Sequence, residues 1–124
     1  MEGKKGAAAS SQGFPRRYRL GANRNYRYVY RKGKSYPSRN LVLVYLKGKE
    51  LRIGFSVSSK VGNAVARNRI RLILREDVRR MRDRLKCGKY ILVARTSIVN
   101  VPHMEITQEV RSLLARAKLL KEEC

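Results

Sequence analysis

Leu51 to Arg71 reads LRIGFSVSSKVGNAVARNRIR, and a change of period inside it decides the fold. Leu51, Ile53, Phe55 and Val57 alternate with Arg52, Gly54, Ser56 and Ser58. Period two with polar partners predicts a strand with one face on a core. Past Gly62-Asn63 the period lengthens. Ala66, Ile70, Ile73, Leu74, Val78, Met81 and Leu85 recur at helical spacing, which predicts a helix from Asn63 to about Leu85, with Gly88 as its stop. A second stripe on that helix is Asn68, Arg71, Arg75, Arg79, Arg82 and Lys86, with Glu76, Asp77 and Asp83 lying off its line. Such a helix is ~35 Å long, enough to follow a nucleic-acid backbone for several nucleotides. Its first turn carries Arg67, Asn68 and Arg69. Guanidinium and amide groups together grip phosphate, sugar and base edges, and are poor core-builders. Arg67 sits near the apolar side of the wheel, which leaves open whether it reaches across the helix end.

Upstream, Leu41-Val42-Leu43-Val44-Tyr45-Leu46 is a continuous apolar run and predicts a buried strand. Lys47-Gly48-Lys49-Glu50 then predicts a hairpin turn into the strand at Leu51. Asn23 is placed to cap a short helix to about Lys32, with Gly33 as its stop. Tyr26, Val29 and Tyr30 share one face of it. A short extra strand can lie near Tyr36, before the break at Pro37-Ser38. Downstream, Tyr90 to Ala94 is another buried strand and Ser97 to Pro102 a loop. Ile106, Val110, Leu113, Leu114, Ala117 and Leu120 mark a final amphipathic helix packed on the sheet. These elements predict an α+β fold: a two-layer α/β sandwich of three helices on a small, mainly antiparallel sheet.

The chain has 124 residues, which favours one domain. Residues 1–13, rich in Gly, Ala, Ser and Lys, read as a disordered basic tail, and 14–122 as the domain. Met1 to Gln12 lacks the apolar segment of a signal peptide or membrane span. Cys87 and Cys124 have no metal-site spacing and read as free thiols in a reducing cytoplasm. Thirty Lys and Arg stand against nine Asp and Glu, a net charge of +21. That imbalance calls for a polyanion, and nucleic acid comes first because phosphate neutralisation supplies most of its affinity. A membrane surface comes second; the apolar stripes suit a core better. Residues 1–39 hold eleven basic and one acidic side chain, 63–87 nine and three, 88–124 six and four. The partner therefore meets the N-terminal half and the central helix.

No self-contained catalytic centre is visible. His103 is the one histidine, without a second ligand or triad partner, and no glycine spacing makes a phosphate loop. Tyr26 and Tyr30 have two readings: core aromatics, or rings that stack on unpaired bases beside Arg24, Arg27, Arg31 and Lys32.

The quoted stretch closely resembles the signature of the protein subunit of bacterial ribonuclease P, Lys-x-Gly-x-Ala-x-x-Arg-Asn-x-x-(Lys/Arg)-Arg. Arg19-Leu20 followed by Tyr26-x-x-Val29-Tyr30-x-x-Gly33 is similar to that family's opening, and the likeness extends over about residues 19–120. The resemblance implies a cofactor protein of an RNA-dependent endoribonuclease that removes 5′ leaders from precursor tRNA. A catalytic RNA with bound magnesium ions would carry the chemistry, the protein acting as one copy in the holoenzyme. Carried over by position, Arg67, Asn68, Arg69, Arg71 and Arg75 would grip the catalytic RNA, with Lys60, Gly62 and Asn63 shaping the turn before them. Tyr26 and Tyr30 would face the leader in a cleft, with Ser56 and Ser58 lining it. The resemblance also implies a left-handed βαβ crossover through the central helix, against the usual hand. Two positions depart from the pattern. Leu72 stands where a second basic residue is usual and is expected to be exposed. Tyrosines replace the phenylalanines at 26 and 30. The rival readings are a ribosomal-type structural RNA binder, an autonomous nuclease and a DNA-compacting protein.

Overall fold

In the computed structural model, residues 16–121 are described; the basic tail and Cys124 lie outside them. The chain runs α1 (Asn23–Lys32), β1 (Lys34–Pro37), β2 (Leu41–Lys47), β3 (Leu51–Val57), α2 (Ala64–Met81), β4 (Gly88–Ala94) and α3 (His103–Arg116). The four strands form one mixed sheet in the order β1-β2-β4-β3. β1 and β4 each pair antiparallel with β2, and β3 runs parallel to β4. The α+β class, the three helices and the extra strand at Tyr36 are all present.

The expected hairpin is absent. Lys47–Glu50 connects two strands that do not touch, because β4 lies between them. β4 is apolar on both faces, with Tyr90, Leu92 and Ala94 on one side and Ile91 and Val93 on the other. A strand of that kind gains most from the centre of a sheet. β3 carries Arg52, Gly54 and Ser56 on one face and takes the edge. The connection passes over Gly88, whose N–H donates to the Glu50 carbonyl at 3.2 Å. A Cβ at Gly88 would come 2.6 Å from the Tyr45 ring, and φ there is +143°. Gly88 thus begins β4 rather than ending the helix.

Alternation on the strands separates two cores. Leu41, Leu43, Ile53, Val57, Tyr90 and Leu92 face α2 and α3, meeting Ile70, Leu74, Val78, Ile106, Val110 and Leu113. On the opposite face Val44 and Ile91 meet Val29 of α1 and Leu20. The sheet with α2 and α3 makes the sandwich, and α1 lies alone across the far side.

Three helix boundaries moved. Ala22, not Asn23, precedes α1, and no side chain caps it. α2 ends at Met81 and tightens into a 3₁₀ turn at Arg82–Arg84, which frees Leu85 to bridge Leu120. α3 therefore stops at Arg116, and Leu120 packs in that bridge rather than on a helix. The expected loop Ser97–Pro102 is largely taken up by a 3₁₀ turn, Thr96–Asn100, that begins one residue before it.

Candidate nucleic-acid interface

Two caps in series set the start of α2. The Ser58 hydroxyl accepts from the Lys60 N–H at 3.3 Å and begins the turn Ser59–Val61. Asn63 Oδ1 then accepts from the Ala66 N–H at 2.9 Å and opens the helix. Arg67 does reach back: its Nε donates to the Gly62 carbonyl at 3.2 Å and braces the turn. Lys60, Asn63, Asn68 and Arg69 are exposed around it. Leu72 is exposed as well, at 41%.

The single long basic stripe does not exist. Arg71 bends toward β3, donating from Nη1 to Asn68 Oδ1 at 3.3 Å and from Nη2 to the Val57 carbonyl at 3.4 Å. Arg75 is half-buried beside it. Further along, Glu76 is bonded by both Arg79 and Arg80, so an acid read as off-line offsets one of their two charges. Arg82 lies over the Tyr18 ring, 4.6 Å from its centroid. β3 and Tyr18, which spacing on one helix does not report, draw off Arg71 and Arg82, and Glu76, at i, i+3 and i, i+4 on the same helix, takes Arg79 and Arg80.

Arg71 and Arg75 instead join the tyrosines in a cleft along the outer edge of β3. Its wider part, about 520 Å³, is lined by Tyr26, Arg27, Tyr30, Phe55, Ser56 and Arg71. The narrower part, about 180 Å³, shares Tyr26, Phe55 and Arg71 and adds Arg19 and Arg75. Alternation explains the lining. Ser56 looks to the α1 side of the sheet and Phe55 to the α2 side, so the strand edge forms the floor. That edge is partly closed. Leu20 N–H donates to the Ile53 carbonyl at 2.9 Å, and Phe55 N–H donates to the Tyr26 hydroxyl at 3.2 Å.

The two tyrosines differ. Tyr26 is half-buried, its ring fitted over Gly54, where a Cβ would come 2.6 Å from Cζ and Oη. Tyr30 is 44% exposed and presents its ring to the open cleft. Ser56 lies in the cleft, whereas Ser58 is exposed at the end of β3 with its hydroxyl used in the turn. Sequence reasoning gave no role to Arg19 or Phe55. The Arg19-Leu20 pair was the available signal for the first. Phe55 read simply as core.

Burial, then the charges of Arg19 and Arg71, push the Arg75 guanidinium below its ordinary value. It stays charged at neutral pH. Crowded guanidiniums in a half-buried cleft are relieved by an anion and attract one. Among the described residues no group of three His, Cys, Asp or Glu could hold a metal ion, and His103 Nε2 lies 3.8 Å from Asp77 Oδ1, which also accepts from the Thr107 hydroxyl at 2.8 Å. No described helix is long and apolar enough to cross a membrane. Cys87 is a free, exposed thiol.

Fold and site together define a small basic α+β domain with a cleft at its sheet edge, set between cations and aromatic rings. Residues 14–118 match the family model Ribonuclease P. The ribonuclease P protein component of Symbiobacterium thermophilum is 40% identical over 110 residues, covering 86% of this chain and 96% of its own. That of Nitratiruptor sp. is 37% identical over 102 residues, covering 82% and 94%. The solved RNase P protein of Staphylococcus aureus superposes with a TM-score of 0.80 at 29% identity, covering 84% of this chain and 98% of that one. The chain belongs to the ribonuclease P protein family. Membership places it in tRNA processing, as a protein component of ribonuclease P whose holoenzyme partner is RNA.

Proposed function

We propose that this chain binds the catalytic RNA of ribonuclease P through the exposed turn at Lys60, Asn63, Asn68 and Arg69, and the unpaired 5′ leader of precursor tRNA in the cleft along β3. The observation that carries this reading is the meeting of Tyr30, Ser56 and Arg71 in one open cleft, backed by Arg75 and Arg19. Leader bases would stack on Tyr30 while phosphates lie against the arginines. Arg67 acts by holding the turn, and Tyr26 by holding Tyr30's helix on the strand edge. Arg71 and Arg75, first assigned to the catalytic RNA, are better used on the leader.

The protein would work in the cytoplasm as one copy per holoenzyme. Bond cleavage belongs to the RNA component and the magnesium ions it binds; this chain's cations offset phosphate repulsion and so favour productive magnesium binding. Reconstitution with the catalytic RNA at low magnesium, with and without the protein, tests the whole reading. Arg69→Ala is expected to weaken holoenzyme assembly. Tyr30→Ala is expected to weaken binding of precursor tRNA while sparing mature tRNA. Equal loss for precursor and mature tRNA removes the leader assignment. Cleavage by the protein stripped of RNA removes the cofactor role.

A further inference from the structure

α1 has a second flank. Tyr28 stands two residues from both Tyr26 and Tyr30, about 200° round the helix from each, and so turns away from the cleft. Its ring is 45% exposed. Lys89 Nζ and the Arg31 guanidinium lie 5.6 and 5.9 Å from the ring centroid. Both are near the outer limit of a cation–π contact, so neither seals the ring.

Below Tyr28 a row of side chains crosses the sheet. Leu46 of β2 is opposite Lys89 of β4, which is opposite Arg52 of β3. All three sit on the face that α1 crosses. The β2–β3 connection, lifted over Gly88, closes the end of the row with Lys47 and Lys49. The result is a trough of about 440 Å³ under Tyr28, with a further 260 Å³ toward Asn25 that shares Lys89 and Glu50. Glu50 is the one acid lining either part, and it is held by Arg52 at 2.9 Å. Absence of the hairpin is what creates this surface: with β4 between β2 and β3, Lys89 comes under Tyr28.

We propose that this trough is a second RNA contact, taking one unpaired nucleotide with its base on Tyr28 and the adjoining phosphates on Lys47, Lys49 and Lys89. The inference rests on the reading that the chain binds RNA, and places a contact outside the leader cleft. An exposed ring ringed by cations fits a splayed base with its phosphates. Duplex bases are stacked out of reach of such a ring. A membrane surface would need a broad apolar face, and the trough offers Leu46 and the Tyr28 ring, with Leu20 buried at its far end.

The test uses the full chain and a short unstructured oligoribonucleotide carrying 4-thiouridine, at one fixed salt concentration. Photo-crosslinks are expected on the peptide containing Tyr28, beside those at Tyr30. Tyr28→Ala is expected to lower affinity ~10-fold, and Tyr28→Phe, which keeps the stacking face, to restore it. The double variant Lys47→Gln, Lys49→Gln is expected to flatten the salt dependence. If Tyr28→Ala binds like the parent while Tyr30→Ala binds weakly, the trough is overturned and the cleft reading stands. The reverse result supports the trough and removes the cleft. A Phe variant as weak as the Ala variant overturns stacking. A parent chain that binds no RNA overturns both readings.

Discussion

Tyr26 and Tyr30 are the same residue type on one helix face, yet they have different work. The Tyr26 hydroxyl accepts from the edge strand, and its ring lies against the backbone at Gly54. Tyr30 has an open face. The pair therefore separates into an anchor and an exposed ring. Gly54 is the residue that makes the anchor possible, since any Cβ there collides with the ring at 2.6 Å. Gly54→Ala is expected to displace Tyr26 and cost about 1–3 kcal/mol of stability, as overpacking does. Chemical denaturation measures this, and an unchanged midpoint would mean that the ring moves aside freely. Arginine shows the same division. Arg67 braces a turn, Arg71 and Arg75 line a cleft, and Arg79 and Arg80 share a carboxylate.

At the scale of elements, the two caps that join β3 to α2 aim the exposed groups. Asn63→Ala removes the acceptor for Ala66 N–H and is expected to cost ~1 kcal/mol. Thermal melting gives the cost, and RNA binding by the still-folded variant shows whether the aim is lost with it. α3 is tied to the β1–β2 loop through Glu109. Its carboxylate accepts from Asn40 N–H at 2.7 Å, from Asn40 Nδ2 at 2.8 Å and from the Ser38 hydroxyl. Burial acts to raise its pKa, and the hydrogen bonds from Ser38, Asn40 and Leu41 together outweigh it, leaving the group below the usual carboxylate value. The sign follows. A depressed pKa gives stability that is present above the unfolded-state value of about 4.3 and is lost as pH falls through the folded-state value. Glu109→Gln is therefore expected to be less stable than the parent at neutral pH, with the gap closing in acid. A gap that stays constant with pH would remove the charge from the explanation. Asp77 runs the other way. Buried between α2 and α3, it has its pKa raised first by desolvation, against the hydrogen bond from Thr107. Its ionisation therefore works against the fold as pH rises through that raised value.

For the whole molecule, charge is distributed by function rather than evenly. The cleft, the α2 turn and the Tyr28 trough gather cations, while α3 mixes Glu105 and Glu109 with Arg111 and Arg116. RNA affinity is expected to fall steeply with salt, each phosphate contact adding about 0.7 to the log–log slope for a single strand. Arg69→Ala should lower that slope by about one contact, and Arg111→Ala on α3 should leave it as it was. Binding titrations over a range of salt concentrations measure both. Equal slopes in the two variants would show that net charge alone drives association.

The sequence by itself determined the local elements. Alternation at Leu51–Val57, helical spacing from Ala66 to Met81, the helix start after Gly62-Asn63 and the exposed position of Leu72 all depend on neighbours within a few residues. So did the charge that points to a polyanion. Strand order, and with it the cleft and the trough, waited on tertiary structure. Which strand takes the centre depends on the apolar area each can bury on both faces, and a tight-looking turn at Lys47–Glu50 does not report that. The separate fates of Arg71 and Arg82 had the same origin: one helical wheel gave them one stripe, but β3 and Tyr18 gave each a different neighbour, whereas the pairing of Arg79 and Arg80 with Glu76 follows from spacing on the helix itself. Long side chains go where desolvation and hydrogen bonding are best met, and those terms are set across the fold rather than along the chain.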